Sequence, residues 1–356
     1  MPQIALIGAG IVGLTTALEI QAKGHSVTIY AESLPGDEKH ARYTSPWAGA
    51  HHLMTAGDDP KKREYELETF KRLWAETETN SEESRYLMRT PLKEYFFTDR
   101  TGLTELDHMP DFRMLEATEL VLGSKSGVGF MTITIDTAAY LPLLLARFLS
   151  RGGQIRRVQI QHIDQVLNGG WKTPIPDLLV VCAGIGARSL GGVEDKDVYP
   201  IRGQTVLVRA PWVKEIRGIH LKEDDLVTYI IPRSSGDVIL GGTYTVNDWY
   251  PHPRIETGQA ILARALALMP DLLPPDVRKK NDQNGKAATV ADLEPLIIEH
   301  GCGFRPARKG GIRIERDTYT LSTGNKTVPI VHGGSGYQMS WGTASKAAEL
   351  VEAGLN

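Results

Sequence analysis

The pattern of apolar and polar positions near the start of the chain predicts a strand, a helix and a second strand, in that order. Residues 4–7 form a short apolar run, long enough for one buried parallel strand. Residues 14–23 follow with a helical pattern that ends at Gly24, and residues 26–30 form a second apolar run. This order predicts a β-α-β unit at the N-terminus.

Further along the chain, the pattern of apolar positions predicts four more helices and several more strands. Helices are expected at residues 60–79, 140–149, 254–269 and 341–351, with Asp136 and Thr137 as candidate caps of the second. Strands are expected at residues 95–97, 131–135, 154–158, 178–181, 205–208, 228–231, 238–240 and 328–331. The stretch from 198 to 290 alternates with period two, which is typical of an antiparallel sheet.

Three glycines follow the first strand at the G-x-G-x-x-G spacing, namely Gly8, Gly10 and Gly13. The first permits a tight turn, the second a close approach of a pyrophosphate, and the third close packing of helix on strand. Amides at the start of the helix would hold the phosphates, and Glu32 could accept the ribose hydroxyls. The motif predicts a dinucleotide site without separating FAD from NAD, and Glu32 argues against NADP.

The length and composition of the chain argue against nucleic-acid-binding, disulfide-rich, cysteine-metal and membrane proteins. A chain of 356 residues is long enough for two domains, and its net charge of −3 gives no sign of a nucleic-acid partner. Two cysteines, Cys182 and Cys302, are too few for a disulfide framework or a cysteine metal site, so no metal is expected. No apolar stretch is long enough to span a membrane, so no membrane partner is expected.

Six short motifs occur in order along the chain. They are Gly8-x-Gly10-x-x-Gly13, Trp47-Ala48-Gly49, Tyr229-Ile230-Ile231-Pro232-Arg233, Gly241-Gly242-Thr243-Tyr244, Gly303-Phe304-Arg305-Pro306-Ala307-Arg308 and His332-Gly333-Gly334-Ser335-Gly336-Tyr337-Gln338. The ordered set closely resembles the D-amino-acid oxidase and D-aspartate oxidase family of flavoproteins, over essentially the whole chain. This resemblance implies FAD as cofactor and O2 as electron acceptor. The implied reaction is oxidative deamination of D-amino acids to 2-oxo acids, with release of ammonia and hydrogen peroxide.

The resemblance, together with the segment pattern, implies an α/β fold of two domains. A Rossmann-type FAD-binding domain, discontinuous in sequence, is expected from residues 1–55, 140–197 and 291–356. An antiparallel, β-rich α+β substrate-binding domain is expected from residues 56–139 and 198–290.

The family resemblance also implies roles for individual residues at the substrate. Arg305 would clamp the substrate carboxylate, since its planar fork can donate two parallel hydrogen bonds. The hydroxyls of Tyr229 and Tyr244 would face the same carboxylate, the Gly334 carbonyl would accept from the substrate amine, and Gln338 would contact the flavin. No acid–base residue is expected, because the family transfers a hydride directly from the substrate Cα to the flavin. Arg308 is interpreted as structural.

The cofactor would be held by a larger set of residues. The set is Gly8, Ala9, Gly10, Ile11, Val12, Gly13, Glu32, Thr44, Ser45, Gly49, Val158, Cys182, Gly184, Arg305, Gly333, Gly334, Gly336, Tyr337 and Gln338.

The identity of the substrate side chain stays open at this stage. In D-aspartate oxidases an arginine seven residues before the first tyrosine binds the side-chain carboxylate, and Lys222 matches that position. Lys222, with His51 or His52, slightly favours acidic D-amino acids such as D-aspartate and D-glutamate. The alternatives are an oxidase of neutral D-amino acids, a glycine- or sarcosine-type amine oxidase, and an NAD-dependent dehydrogenase.

Location and assembly are only weakly indicated. The resemblance implies a peroxisomal location, but the last residues, Ala353-Gly354-Leu355-Asn356, are not a Ser-Lys-Leu type of address. A cytoplasmic location is therefore the alternative. Whether the chain forms a homo-oligomer is left open.

Overall fold

A computed structural model describes residues 1–57, 59–79, 81–100, 106, 108–121, 123–220, 227–321, 324–331 and 336–355. The helices are α1 (Ile11–Ala22), α2 (Pro60–Glu76), α3 (Thr137–Ser150), α4 (Asp164–Leu167), α5 (Ile255–Leu268), α6 (Pro275–Gln283) and α7 (Gly336–Leu355). The strands are β1 (Gln3–Ile7), β2 (Ser26–Ala31), β3 (Leu87–Phe96), β4 (Arg113–Met114), β5 (Ser126–Ile135), β6 (Gln154–Arg157), β7 (Leu178–Val181), β8 (Val198–Arg209), β9 (Ile216–His220), β10 (Val227–Pro232), β11 (Asp237–Gly241), β12 (Thr245–Val246), β13 (Ile297–Arg308), β14 (Ile314–Leu321) and β15 (Gly324–Val331).

Within the described ranges, the first of two sheets has six strands in the order β14-β15-β7-β1-β2-β6. Strand β1 pairs in parallel with β2 and β7, as the β-α-β pattern predicted. Its side chains are buried on both faces, because Ile4 and Leu6 pack in one apolar cluster and Ala5 and Ile7 in another. The strands come from three separate stretches of the chain, which confirms a discontinuous Rossmann-type layer.

The second sheet, which has nine strands in the described part of the chain, is mainly antiparallel. Strand β8 pairs with β11, β12 and β13, and β10 lies between β9 and β11. Alternation of the side chains separates its two faces. Ile231 and Ile239 join the cluster that includes Leu6 of the first sheet, whereas Ile230 and Leu240 pack with α5 on the opposite side. The period-two pattern therefore directs one face of this sheet toward the first sheet, and the prediction of an α/β fold is confirmed.

Two segments lie in a different layer from the one that their predicted domain implies. Strand β13, predicted with the FAD-binding domain, pairs with β8 of the second sheet. Helix α2, predicted with the substrate-binding domain, packs against α7, where the Gly342 amide donates to Thr69 Oγ1 at 3.0 Å. Long-range pairing decides both placements, and local periodicity carries no information on it. The division into two domains itself stays a prediction.

Several element bounds differ from the prediction. Helix α6 and strands β9 and β14 were not predicted, and α7 begins at Gly336 instead of residue 341. The prediction of Asp136 as a cap residue of α3 is confirmed in position, since Asp136 is the N-cap residue, although its side chain makes no capping hydrogen bond; Thr137 is the first residue of the helix. Thr137 Oγ1 instead donates to the Pro46 carbonyl at 3.1 Å and accepts from Arg233 at 3.0 Å, so it ties the helix to a neighbouring loop. None of the helices in the described ranges combines the length and apolar character needed to cross a bilayer.

Candidate active site

A cavity of about 660 Å³ is lined by residues of both sheets and of the loops that face them. It brings together the following predicted site residues: Gly8, Ala9, Gly10, Ile11, Val12, Gly13, Glu32, Thr44, Ser45, Gly49, His51, Val158, Cys182, Gly184, Tyr229, Tyr244, Arg305, Gly336, Tyr337 and Gln338. Lys222, Gly333 and Gly334 lie outside the described residues. His52 is described but does not line the cavity.

The turn between β1 and α1 forms one end of the cavity. Gly8 has a φ of 106°, and an added Cβ would lie 2.3 Å from the Cys182 carbonyl oxygen, so only glycine fits there. At Gly10 an added Cβ would lie 3.0 Å from Ser45 Oγ, which itself accepts from the Ile11 amide at 3.0 Å. The first turn of α1 contains no acid. An open backbone cradle at the positive end of a helix fits the diphosphate of a dinucleotide.

The first turn of α7 forms a wall of the cavity and is held by hydrogen bonds to the loop that follows β2. Tyr337 donates from its hydroxyl to the Ser45 carbonyl at 3.1 Å, and Gln338 donates from Nε2 to the Leu53 carbonyl at 2.8 Å. Burial raises the pKa of Tyr337 well above its usual value, so its hydroxyl stays protonated and remains a donor. Nearby, Thr44 Oγ1 donates to the Phe304 carbonyl at 2.6 Å, which connects the same loop to β13.

Tyr229 lies on the face of the second sheet that borders the cavity. In β10 it pairs with Gly241 of β11 on one side and with Gly218 of β9 on the other. A Cβ at Gly241 would lie 2.1 Å from ring atoms of Tyr229, and one at Gly49 would lie 3.3 Å from Cε2 of that ring. The ring therefore lies over Gly241, and Gly49 of the loop after β2 lies close to it.

Arg305 reaches the same face from β13. A Cβ at Gly203 would lie 2.3 Å from its Nη1, so the guanidinium lies over that glycine of β8. Nη1 also donates to the Thr243 carbonyl at 3.1 Å. The Thr243 hydroxyl in turn accepts from the Gln204 amide at 2.9 Å, so the carbonyl that orients Arg305 is anchored to β8.

Among the predicted substrate residues that the structure describes, Tyr244 is the most exposed. It follows Thr243 directly, lines the cavity and is 43% exposed, which places it where the cavity meets solvent. Arg308, interpreted as structural, donates from Nε to Asp195 at 2.9 Å and does not line the cavity. Arg305, Tyr229 and Tyr244 thus converge on one cavity, while the neighbouring arginine is directed elsewhere.

The two adjacent histidines lie in different surroundings. His51 lines the cavity, with Nδ1 placed 3.2 Å from the Gly49 carbonyl. His52 is 1% exposed and packs between Met54 and Phe70, so its predicted role as a specificity residue in the cavity was wrong. Burial lowers the pKa of His52 to about 3, which keeps the imidazole neutral at physiological pH.

The described residues offer no ionised thiol and no metal centre. Both cysteines are free, and burial raises the pKa of Cys182 to about 12 and that of Cys302 above its usual value. Among the described side chains, no group of three or more His, Cys, Asp and Glu residues could hold a metal ion.

Sequence reasoning missed Glu94, a lining residue that is 4% exposed, and also missed His40 and Arg42 in the loop after β2. Glu94 had a readable signal. It alternates with Leu92 and Phe96 on the inward face of β3, so a charge stands where the pattern calls for an apolar side chain. The other two belong to an irregular segment, where no periodicity indicates which side chains face inward.

Comparison with known proteins indicates a family of FAD-dependent oxidoreductases. The family model described as DAO, FAD dependent oxidoreductase, matches residues 3–350. A D-aspartate oxidase of Cryptococcus neoformans var. grubii is 36% identical, over 98% of this chain and 96% of that protein. A D-amino-acid oxidase of Fusarium vanettenii is 31% identical, again over 98% of this chain and 96% of the relative.

Solved structures support the same fold. The crystal structure of glycine oxidase from Geobacillus kaustophilus matches with a TM-score of 0.68 at 18% identity, over 99% of this chain and 95% of that one. L-proline dehydrogenase from P. horikoshii matches with a TM-score of 0.69 at 15% identity, over 99% and 94%. At these identities the likeness concerns the fold.

Proposed function

Because this chain belongs to the FAD-dependent oxidoreductase family, we propose that its cavity binds FAD beside a D-amino acid and catalyses oxidative deamination of that amino acid. When bound, FAD would supply the redox chemistry of the reaction, with the Cα–H bond of the substrate as hydride donor and O2 as the final electron acceptor. The products are hydrogen peroxide and an imino acid, which water hydrolyses to a 2-oxo acid and ammonia. O2 as acceptor and a peroxisomal location follow from resemblance and stay predictions.

The observation that carries the proposal is the position of Arg305. Its guanidinium is half-buried over Gly203 and oriented by the Thr243 carbonyl, in the cavity that also contains the Gly8 turn. A fixed guanidinium can donate two parallel hydrogen bonds to a carboxylate. The hydroxyls of Tyr229 and Tyr244 complete the carboxylate site in this proposal. Their task is to orient the substrate and exclude water.

The cofactor is assigned to the other end of the same cavity. The turn from Gly8 to Gly13 would hold the diphosphate, and Glu32 the adenosine ribose. By the family resemblance, the segment from Gly336 to Gln338, which lines the cavity, would lie against the ring system. Hydrogen bonds to Ser45 and Leu53 hold Tyr337 and Gln338 in place. The same helix end offers a positive dipole to negative charge on the reduced cofactor.

A direct test uses the purified, FAD-reconstituted protein under anaerobic conditions. Mixing it with D-alanine, D-valine, D-aspartate or D-glutamate should bleach the flavin absorbance, and L-alanine should not. Re-admitted O2 should restore the absorbance and release hydrogen peroxide. A protein that binds no flavin and works with NAD would contradict the proposal, and one that oxidises only glycine or sarcosine would favour an amine oxidase.

A preference for acidic D-amino acids is the second candidate. It is favoured by the 36% identity to a protein named D-aspartate oxidase. The matching cation, Lys222, lies outside the described residues, so its role stays a prediction. Lys222→Met should lower kcat/KM for D-aspartate and leave D-alanine unchanged. Equal losses with both substrates would mean that Lys222 acts through the loop, and a wild-type preference for D-alanine or D-valine would discard the acidic preference.

A further inference from the structure

Arg42 is a cation on the wall of the cavity that the proposed reaction does not use. It belongs to the loop after β2, lines the cavity and is exposed to solvent. Two cations that contact the same loop, Lys39 and Arg157, form ion pairs with Glu299 and Asp37. Within the described ranges, no such pair or hydrogen bond engages the guanidinium of Arg42. Its donors are therefore available to a group that enters the cavity.

The loop places Arg42 between two parts of the cavity that are assigned to the cofactor. Two residues before it, Nε2 of His40 lies 2.8 Å from the hydroxyl of Ser33, which directly follows the acid assigned to the ribose. One residue after it, Tyr43 donates from its hydroxyl to the Ala9 carbonyl of the glycine turn at 2.8 Å. Successive Cα atoms are only about 3.8 Å apart, so Arg42 lies on the stretch of wall between the ribose and the diphosphate.

Hydrogen bonds on both sides of Arg42 fix the backbone that carries it. The Ala41 carbonyl accepts from the Phe304 amide at 2.9 Å, and Ala41 itself is buried. Three residues after Arg42, Ser45 Oγ accepts from the Ile11 amide at 3.0 Å. The side chain of Arg42 is thus attached to a fixed segment of the wall.

The charge of the proposed ligand favours a cation at this place. Each phosphate of the diphosphate carries a negative charge, whereas the N-terminus of a helix supplies only about half an elementary charge of the opposite sign. The first turn of α1, residues 11–14, has no charged side chain. Among the described residues of the wall, the lysine and arginine side chains are Arg42 and Arg305, and Arg305 is held over Gly203 by the Thr243 carbonyl. Arg42 is therefore the guanidinium left for the diphosphate.

We propose that Arg42 binds the diphosphate of FAD and adds an ion pair to the backbone amides of the turn from Gly8 to Gly13. A guanidinium can donate two parallel hydrogen bonds to phosphate oxygens. Because Arg42 is exposed and makes no contact that the fold needs, its charge contributes to the affinity for the cofactor and not to folding. This inference rests on the proposed function and deepens it.

The first test titrates the full-length chain, freed of flavin, with FAD and follows flavin fluorescence. Arg42→Gln should bind FAD about tenfold or more weakly than wild type, because the diphosphate loses a charge-assisted contact. Higher ionic strength should narrow this difference, since salt screens an ion pair that solvent can reach. The matched control is Arg85→Gln, the same change at an exposed arginine that does not line the cavity, and it should bind FAD like wild type.

A second test identifies the group that Arg42 contacts. ADP and adenosine are compared as competitors of FAD, because ADP contains the diphosphate and adenosine does not. Arg42→Gln should weaken ADP by about the same factor as FAD and leave adenosine unchanged. If Arg42→Gln does not fold, as judged from Tm, Arg42→Lys keeps the charge but not the planar fork and should still weaken ADP and not adenosine.

Two results would overturn the inference. One is an affinity of Arg42→Gln for FAD equal to that of wild type and of the control. The other is an equal loss for ADP and adenosine, which would mean that the substitution acts through the loop and not through the diphosphate. Failure of the proposed function is distinguishable, since a wild-type chain that binds ADP but not FAD would contradict that function while the ADP comparison still tests Arg42.

Discussion

The guanidinium of Arg305 donates from Nη1 to the carbonyl oxygen of Thr243 at 3.1 Å, and Thr243 is the residue before Tyr244. The two partners come from β13 and from the turn between β11 and β12, which lie on opposite sides of β8 in the sheet. One hydrogen bond therefore couples the orientation of the proposed carboxylate clamp to the position of the tyrosine beside it.

Removal of the clamp should reduce catalysis without unfolding the protein. In Arg305→Ala, kcat/KM for D-alanine should fall by the equivalent of about 2–5 kcal/mol, because the substrate carboxylate loses a charge-assisted, two-point contact. Steady-state kinetics measures the loss, and flavin absorbance and Tm check the fold. Arg308→Ala is the matched control: it should lower Tm through Asp195 and leave kcat/KM near wild type. Near-normal activity of Arg305→Ala would show that this residue is not the clamp.

The glycine beneath Arg305 offers a milder perturbation. In Gly203→Ala, a Cβ would lie 2.3 Å from Nη1, so the guanidinium must move. We expect KM for D-amino acids to rise while FAD affinity stays close to wild type. Gly186→Ala serves as the control on the cavity wall, because its added Cβ would meet its nearest neighbour at an ordinary 3.8 Å. Equal effects of the two variants on KM would argue against a specific role of Gly203.

Substitution of Glu32 tests the proposed position of the nucleotide in the cavity. In Glu32→Gln the ribose hydroxyls lose an ionised acceptor, and a hydrogen bond to a charged group contributes about 1.5–3 kcal/mol. FAD should therefore bind the apoprotein about tenfold or more weakly, as measured by titration of flavin fluorescence. Glu38→Gln, an exposed residue that does not line the cavity, should leave the affinity unchanged. Identical affinities in all three proteins would remove Glu32 from the site.

His52 predicts a pH dependence of stability. Its pKa is lowered from 6.5 to about 3 in the folded protein. Below pH 6.5 the imidazole is therefore protonated in the unfolded chain but stays neutral in the folded chain, which stabilises the unfolded state. Its contribution is therefore complete above pH 6.5 and is lost as the pH falls toward 3. Between pH 7 and pH 5 the loss is on the order of 2 kcal/mol.

The measurement for His52 is the free energy of unfolding by urea at pH 7 and pH 5. His52→Gln should show a smaller decrease than wild type, because glutamine does not titrate. His52→Gln should keep the wild-type ratio of D-aspartate to D-alanine turnover, because His52 does not line the cavity. His51 lines the cavity, so we expect His51→Gln to change that ratio. A pH dependence identical to wild type would mean that His52 is not buried in its neutral form.

The local sequence alone was sufficient to predict the turn between β1 and α1 and the elements around it. The G-x-G-x-x-G turn acts through backbone contacts only a few residues apart: a Cβ at Gly13 would lie 2.1 Å from the Gly8 carbonyl oxygen. The apolar run of β1, the helix after it and Glu32 past β2 are set by neighbours in the chain. Such features can be predicted from sequence because the contacts that form them join residues close together in the chain.

The arrangement of the residues around Tyr229 depended on the tertiary structure. Local periodicity predicted strands around Tyr229, but the row from Glu94 through Gly218 and Tyr229 to Gly241 exists only because β3, β9, β10 and β11 pair in one register. Strand β13 joined the second sheet for the same reason. His51 lines the cavity and His52 is buried, although the two are adjacent in sequence. Neighbouring side chains in an extended chain point to opposite sides, and the packing of the whole molecule decides which side is the core. Pairing and burial depend on residues far apart in the chain, so the sequence predicted many of the residues that line the cavity but not what each of them contacts.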